Sequence, residues 1–138
     1  MRKLIFLGFP LLLVLLLSSC MSTTDLPRDT VKLGEQEVNF KADHDVIQVG
    51  AYQGSFKALF FVVHLNNIQL YDLVVTYGNG DKEKFDTRLT FDEGTRSRAL
   101  PLDGGNRQIQ QISFTYKTVG DWVDGKARVM VYGIKSWQ

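Results

Sequence analysis

The sequence has one cysteine, two histidines and three prolines among its 138 residues. With Cys20 as the only thiol, the chain cannot form an internal disulfide, so core packing must stabilise its folded part. The 16 basic and 15 acidic residues nearly cancel, and no basic stripe is present to hold phosphates. Nucleic acid is therefore not an expected partner.

Motifs that carry known catalytic chemistry are also missing. The sequence has no Gly-x-Ser-x-Gly elbow, no His-Glu-x-x-His motif and no phosphate-cradling glycine loop. A small hydrolase would have to place His44 or His64 beside a carboxylate in a pocket, and this is the least favoured interpretation. No catalytic residue, cofactor or metal ligand is assigned.

The longest apolar run, residues 4–17, is shorter than the roughly 20 residues that a membrane-spanning helix needs. Arg2 and Lys3 precede this run, and small residues follow it. A basic start, a short apolar segment and a small-residue cleavage site are typical of a secretory signal peptide. A permanent transmembrane helix is disfavoured by length.

The end of this signal, Leu17-Ser18-Ser19-Cys20, resembles a bacterial lipobox. The resemblance implies a signal peptide over residues 1–19, a diacylglycerol on the Cys20 sulfur and a further acyl chain, such as palmitate, on its new amino group. Two or three chains make a durable membrane anchor. Met21, where Asp would favour the inner membrane, indicates the outer membrane facing the periplasm in a Gram-negative source. A plain signal peptide with a chance cysteine is the alternative.

Residues 20–30 form a polar segment, interrupted by Pro27, that we interpret as a tether. Ten residues span at most about 33–36 Å when fully extended, and typically about 16–19 Å when flexible. The following domain, residues 31–138, would therefore stay close to the membrane.

This domain is predicted to be all-β, because short runs rich in Val, Ile, Phe, Tyr and Thr alternate with turns. About eight strands indicate a mostly antiparallel β-sandwich, jelly-roll-like or immunoglobulin-like. A bulge is expected near Gly34, and Asn79-Gly80 predicts a hairpin. The predicted strands are 31–41, 45–49, 56–65, 69–77, 83–91, 97–102, 107–118 and 126–135.

Short motifs over most of the mature chain resemble a family of small exported bacterial β-domains of unknown function. The resemblance implies a β-sandwich and implies no activity. The motifs are Leu33-Gly34, Asp45–Gly50, the strand from Phe56, Tyr77–Gly80, Ser97-Arg98, Gly104–Ile109 and Ile112–Tyr116.

Arg96, Arg98 and Arg107 flank the segment 100–105 and form a candidate ligand patch with Trp122. Three guanidiniums brought together would bind a carboxylate, a phosphate or a sulfated sugar. The alternative is that these arginines pair with acidic residues of the neighbouring turns. Trp122 either stacks on a sugar ring at the rim of the sandwich or folds inward to cover a sheet end.

Two further groups have a chemical and a structural interpretation. Asp43-His44-Asp45 offers metal ligands, but a solvated turn in which the Asp side chains cap backbone amides is the favoured interpretation and needs no metal. His64 lies on the same strand face as Phe60 and Val62, where it is either a general base or a hydrogen-bonded boundary residue.

The sequence therefore predicts a membrane-anchored envelope lipoprotein that acts as a binding or structural module. Its partners would be membrane lipid, through acylated Cys20, and an envelope protein or glycan. A carbohydrate-binding module of the cell envelope is the first alternative, and a small hydrolase is the second.

Overall fold

A computed structural model describes residues 26–39, 43–50, 53–86, 88–92, 94–119 and 125–135. The predicted signal peptide, Cys20 and Trp122 lie outside this part of the chain. Within it no helix is both long and apolar enough to cross a bilayer. The described residues form nine strands: β1 Thr30–Asn39, β2 Asp43–Gln48, β3 Ser55–His64, β4 Ile68–Tyr77, β5 Lys82–Phe85, β6 Leu89–Phe91, β7 Leu100–Pro101, β8 Arg107–Thr118 and β9 Lys126–Lys135.

All the strand pairings are antiparallel, in the order β1-β9-β3-β8-β4-β5, with β2 on β8, β6 on β4 and β7 on β3. Strands β3 and β8 pair through Ser55 and Phe56 at one end and then separate, β3 running beside β9 and β8 between β2 and β4. Farther along, the rings of Phe61 and Phe114 meet edge to face, with centroids 6.3 Å apart. The sheet therefore folds into two facing layers, which confirms the predicted all-β sandwich.

The main core lies between these layers. Strand β3 contributes Leu59, Phe61 and Val63 to it, while Phe60 and Val62 face the other side. There Phe60 stacks on Tyr132 of β9, with ring centroids 5.2 Å apart. Both faces of β3 are thus apolar and buried, as predicted for a central strand.

Two irregularities shape the strands. The register of β1 against β9 shifts between Lys32 and Gly34, which confirms the predicted bulge. A Cβ on Gly34 would lie 2.5 Å from the Cγ2 of Ile47 on β2, so glycine permits the close approach of these two strands. In β4 the register against β8 shifts near Asp72, whose φ of 49° is left-handed.

Three strand predictions need correction. The predicted strand 83–91 is two strands, β5 and β6, because its partner β4 bulges at Asp72 and the pairing breaks opposite that bulge. The predicted turn Asp43-His44-Asp45 belongs to β2, since pairing with β8 overrides the turn preference of Asp. The predicted strand 97–102 shortens to Leu100–Pro101, with an isolated bridge from Arg96 to Val62.

The chain enters the domain at the end of the sandwich that also carries the starts of β3 and β8. Thr30 pairs with Ile134, and the carbonyl of Asp29 accepts the amide N–H of Lys135 at 3.0 Å. We call this end the entry pole and define it by Thr30, Ser55, Tyr77, Arg107 and Lys135.

Candidate functional site

The entry pole carries a compact polar cluster built around Arg107. Its guanidinium carbon lies 3.7 Å from the ring centroid of Tyr77, the last residue of β4. The Arg107 Nη1 donates to the carbonyl of Asp103 at 3.2 Å, and Nη2 lies 3.4 Å from a carboxylate oxygen of Asp81. The Arg107 side chain is only 22% exposed. Its stacking on Tyr77 and its hydrogen bonds hold it in one orientation.

Glu83 connects this cluster to β5. One oxygen of its carboxylate accepts the phenol hydroxyl of Tyr77 and, at 3.0 Å, the backbone N–H of Asp103. Tyr77 itself is 2% exposed. Burial raises the pKa of the Tyr77 phenol far above its usual range, and the hydrogen bond and negative charge of Glu83 raise it further. The phenol is therefore a neutral donor at physiological pH.

Two glycine-containing turns set this geometry. In the β4–β5 hairpin, the N–H groups of Tyr77 and Gly80 donate to the carbonyls of Asp81 and Tyr77, respectively, with Gly80 at φ 90°. In the turn before β8, Gly104 and Gly105 have φ values of 86° and 66°. Left-handed backbone at these positions strongly favours glycine. Both turns bring side chains against Arg107.

Two adjoining depressions open beside the cluster and share Gly78 and Gln108. One has a volume of about 220 Å³ and is also lined by Val49, Ile109 and Gln110. The other, of about 210 Å³, reaches Arg107 and is also lined by Tyr77 and Asn79. We call the two together the entry-pole depression. Its lining combines the side-chain amides of Gln108 and Gln110 with an apolar wall at Val49.

The predicted arginine patch is divided between two places. Arg107 pairs with Phe56 at the start of β3, whereas Arg96 bridges to Val62, six residues farther along. At about 3.3 Å per residue this separation is roughly 20 Å. The Arg96 guanidinium carbon lies 5.4 Å from the ring centroid of Phe60 on the outer face of β3, and Arg98 is exposed. The backbone thus does not bring Arg96 and Arg107 into one clamp.

The other candidate residues lie away from the entry-pole depression or outside the described residues. His44 is exposed opposite Thr115 in β2, and His64 is half-buried opposite Arg128 in β3. Because neighbours in a strand point to opposite faces, Asp45 projects away from His44. Within the described ranges, no group of three or more His, Cys, Asp or Glu side chains has a metal-binding arrangement. Trp122 lies outside these ranges.

Sequence reasoning missed Tyr77, Glu83 and Gln108 as site residues. In the sequence, Tyr77-Gly78-Asn79-Gly80 indicates only a hairpin and a family motif. A polar cluster could have been suspected from the acidic residues and amides beside that hairpin and the next glycine turn. Their juxtaposition depends on the pairing of β4 with β8, in which Tyr77 lies opposite Ile109.

A family model described as "Domain of unknown function (DUF2541)" matches residues 10–133. No curated protein matches the sequence.

Two solved structures of the tobacco streak virus coat protein are similar to this chain. The dimer structure aligns with 14% identity and a TM-score of 0.35, covering 82% of this chain and 91% of that chain. A second crystal form aligns with 13% identity and a TM-score of 0.33, covering 84% and 93%. Because both TM-scores are below 0.5, the fold assignment rests on the strand pairing described above.

Proposed function

The chain belongs to the DUF2541 family, and because that description names no activity, we propose a function from the chain's own residues. The protein is a lipid-anchored module of the bacterial cell envelope that binds an envelope component at its entry pole. Anchoring is inferred from the lipobox-like Leu17-Ser18-Ser19-Cys20, and Met21 supports a location at the outer membrane, facing the periplasm, in a Gram-negative source.

The observation that carries this proposal is the position of the entry-pole depression. Strand β1 begins at Thr30, at the same end of the sandwich as Gly78, Arg107 and Gln108. A lipid on Cys20 and a tether of at most about 33–36 Å would hold this end near the membrane surface. The expected partner is therefore a component within tether reach of that surface.

The anchoring half of the proposal is tested by metabolic labelling. Cells expressing the full chain are fed an alkyne analogue of palmitate, and the purified protein is examined for the label. The wild-type protein and the matched variant Ser22→Ala should carry the label, and Cys20→Ser should lose it. An unlabelled wild-type protein would contradict the lipid anchor.

The binding half is tested by photo-cross-linking in intact cells. A photoreactive amino acid replaces Gln110, an exposed residue of the entry-pole depression, or Lys126, an exposed residue at the opposite end of β9. The Gln110 position should give a discrete adduct that the Lys126 position does not. Equal adducts at both positions, or none at Gln110, would contradict binding at this pole.

A further inference from the structure

The lining of the entry-pole depression has a specific hydrogen-bonding character. Gln108 and Gln110 present side-chain amides, each with both donor and acceptor atoms. The Asn79 amide instead donates to an Asp81 carboxylate oxygen at 2.8 Å and accepts the Asp81 backbone N–H at 3.1 Å. Gln108 and Gln110 are exposed in consecutive same-face positions of β8. Hydroxyl groups, which also donate and accept, match such a lining better than groups that only accept or only donate.

The same depression also has an apolar component. Val49, which is 7% exposed, lines its wall beside the amides, whereas the Ile109 side chain is 1% exposed and belongs to the main core. A sugar ring carries hydroxyl groups at its edge and C–H groups on its faces, so it needs both kinds of contact. The volumes of about 220 and 210 Å³ are below the roughly 300–1,000 Å³ of sites for drug-sized ligands. Volumes of this size suit a single sugar ring.

The charges of the neighbouring cluster disfavour an anionic ligand. The carboxylates of Asp81, Glu83 and Asp103 all lie near Tyr77 and Arg107, and they outnumber the single guanidinium. Arg107 already directs one amino group at Asp81 and another at a backbone carbonyl. An incoming phosphate or sulfate would meet like charge, which costs binding free energy.

From these contacts we infer that the entry-pole depression binds a neutral, hydroxyl-rich ligand: a sugar unit of an envelope glycan or of a glycolipid headgroup. This inference rests on the proposed function, because that function places the depression at the membrane surface. It assigns ligand contact to Gln108 and Gln110, with Asn79 and Arg107 as positioning residues. The site differs from the sequence-predicted patch of Arg96, Arg98, Arg107 and Trp122.

Binding is tested with the full lipoprotein in detergent by saturation-transfer NMR. The probes are two neutral trisaccharides, chitotriose and maltotriose, and the anionic trigalacturonate. At least one neutral probe should bind, and Gln108→Ala should weaken its affinity at least tenfold. Gly78→Ala provides a second variant, since a Cβ there would lie 2.9 Å from the Gln108 Oε1 and displace that flexible amide while the backbone stays in place. Gln36→Ala on β1 is the matched control and should bind as the wild type does.

Three results would overturn the inference: no binding of either neutral probe, tenfold tighter binding of trigalacturonate, or unchanged affinity in both variants. The Gln110 cross-link then separates the sources of the sugar. A muramidase-sensitive adduct assigns it to the wall, and an adduct that carries lipid assigns it to a glycolipid. A protein adduct that depends on Gln108 would overturn the sugar ligand while leaving the envelope-binding function intact.

Discussion

The guanidinium of Arg107 lies over the ring of Tyr77, 3.7 Å from its centroid, and this contact joins the start of β8 to the end of β4. The two residues are thirty positions apart in the sequence, and both are at the entry pole. Tyr77 in turn donates its hydroxyl to Glu83 on β5. The contact therefore gives the wall of the depression a fixed shape, because it connects three strands and two glycine turns.

Replacing Arg107 tests how much this contact stabilises the domain. We expect Arg107→Ala to lower the free energy of unfolding by about 1–2 kcal/mol, since a partly buried cation–π contact and the hydrogen bonds to Asp103, Asn79 and Asp81 are lost. Arg107→Lys should recover only part of the loss, because an ammonium group cannot replace the planar guanidinium. Urea denaturation measures the change. The exposed Arg88→Ala serves as control and should stay within about 0.5 kcal/mol of the wild type.

The raised pKa of Tyr77 predicts a pH dependence of stability. Below about pH 10 the phenol is protonated in both the folded and the unfolded chain, so it contributes no slope. Above about pH 10 the unfolded chain loses this proton while the folded protein retains it. The free energy of unfolding then falls by up to about 1.4 kcal/mol per pH unit from this group.

Tyr77→Phe isolates that contribution. At pH 7–9 the variant should be less stable than the wild type by a constant amount of about 1 kcal/mol, since one hydrogen bond is lost. Above about pH 10 this difference should shrink, because only the wild type carries the Tyr77 slope. Thermal or urea unfolding between pH 7 and 11 measures both curves. Parallel curves over the whole range would show that the folded phenol titrates normally.

The sandwich core contains a tight contact between β9 and β3 at Gly133. A Cβ at this position would clash with the ring of Phe56, which is fully buried. We expect Gly133→Ala to destabilise the domain by about 1–3 kcal/mol through overpacking. The double variant Gly133→Ala with Phe56→Leu should be more stable than the sum of the two single effects predicts. If the effects of the two substitutions on the free energy of unfolding add, the clash with Phe56 is not what destabilises Gly133→Ala.

Much of the fold was predictable because turn signals flank regular apolar patterns. Strands β8 and β9 have the predicted bounds, and left-handed glycines precede both, Gly105 before β8 and Gly125 before β9. The break between β5 and β6 was not predictable, since it depends on a bulge at Asp72 in the partner strand. Apolar and polar residue types alternate without interruption over residues 83–91, so the sequence pattern predicts one continuous strand there.

The candidate site was predictable only in part. Arg107 was identified from its charge beside a glycine turn, but its partner Tyr77 follows from the register of β4 against β8. Similarly, the distance between Arg96 and Arg107 follows from the positions at which each pairs with β3. Their spacing along the sequence does not determine those positions. Long-range register is a tertiary property, so residue types alone could not supply it.

The central claim, that lipid on Cys20 holds the β-domain at a membrane, is tested most directly by fractionating cells that express the wild type or Cys20→Ser. The wild type should stay in the membrane fraction after salt washing and require detergent for release. Cys20→Ser should appear in the soluble fraction with an unchanged thermal unfolding midpoint of its domain. A Cys20→Ser protein that remains in salt-washed membranes would contradict the account.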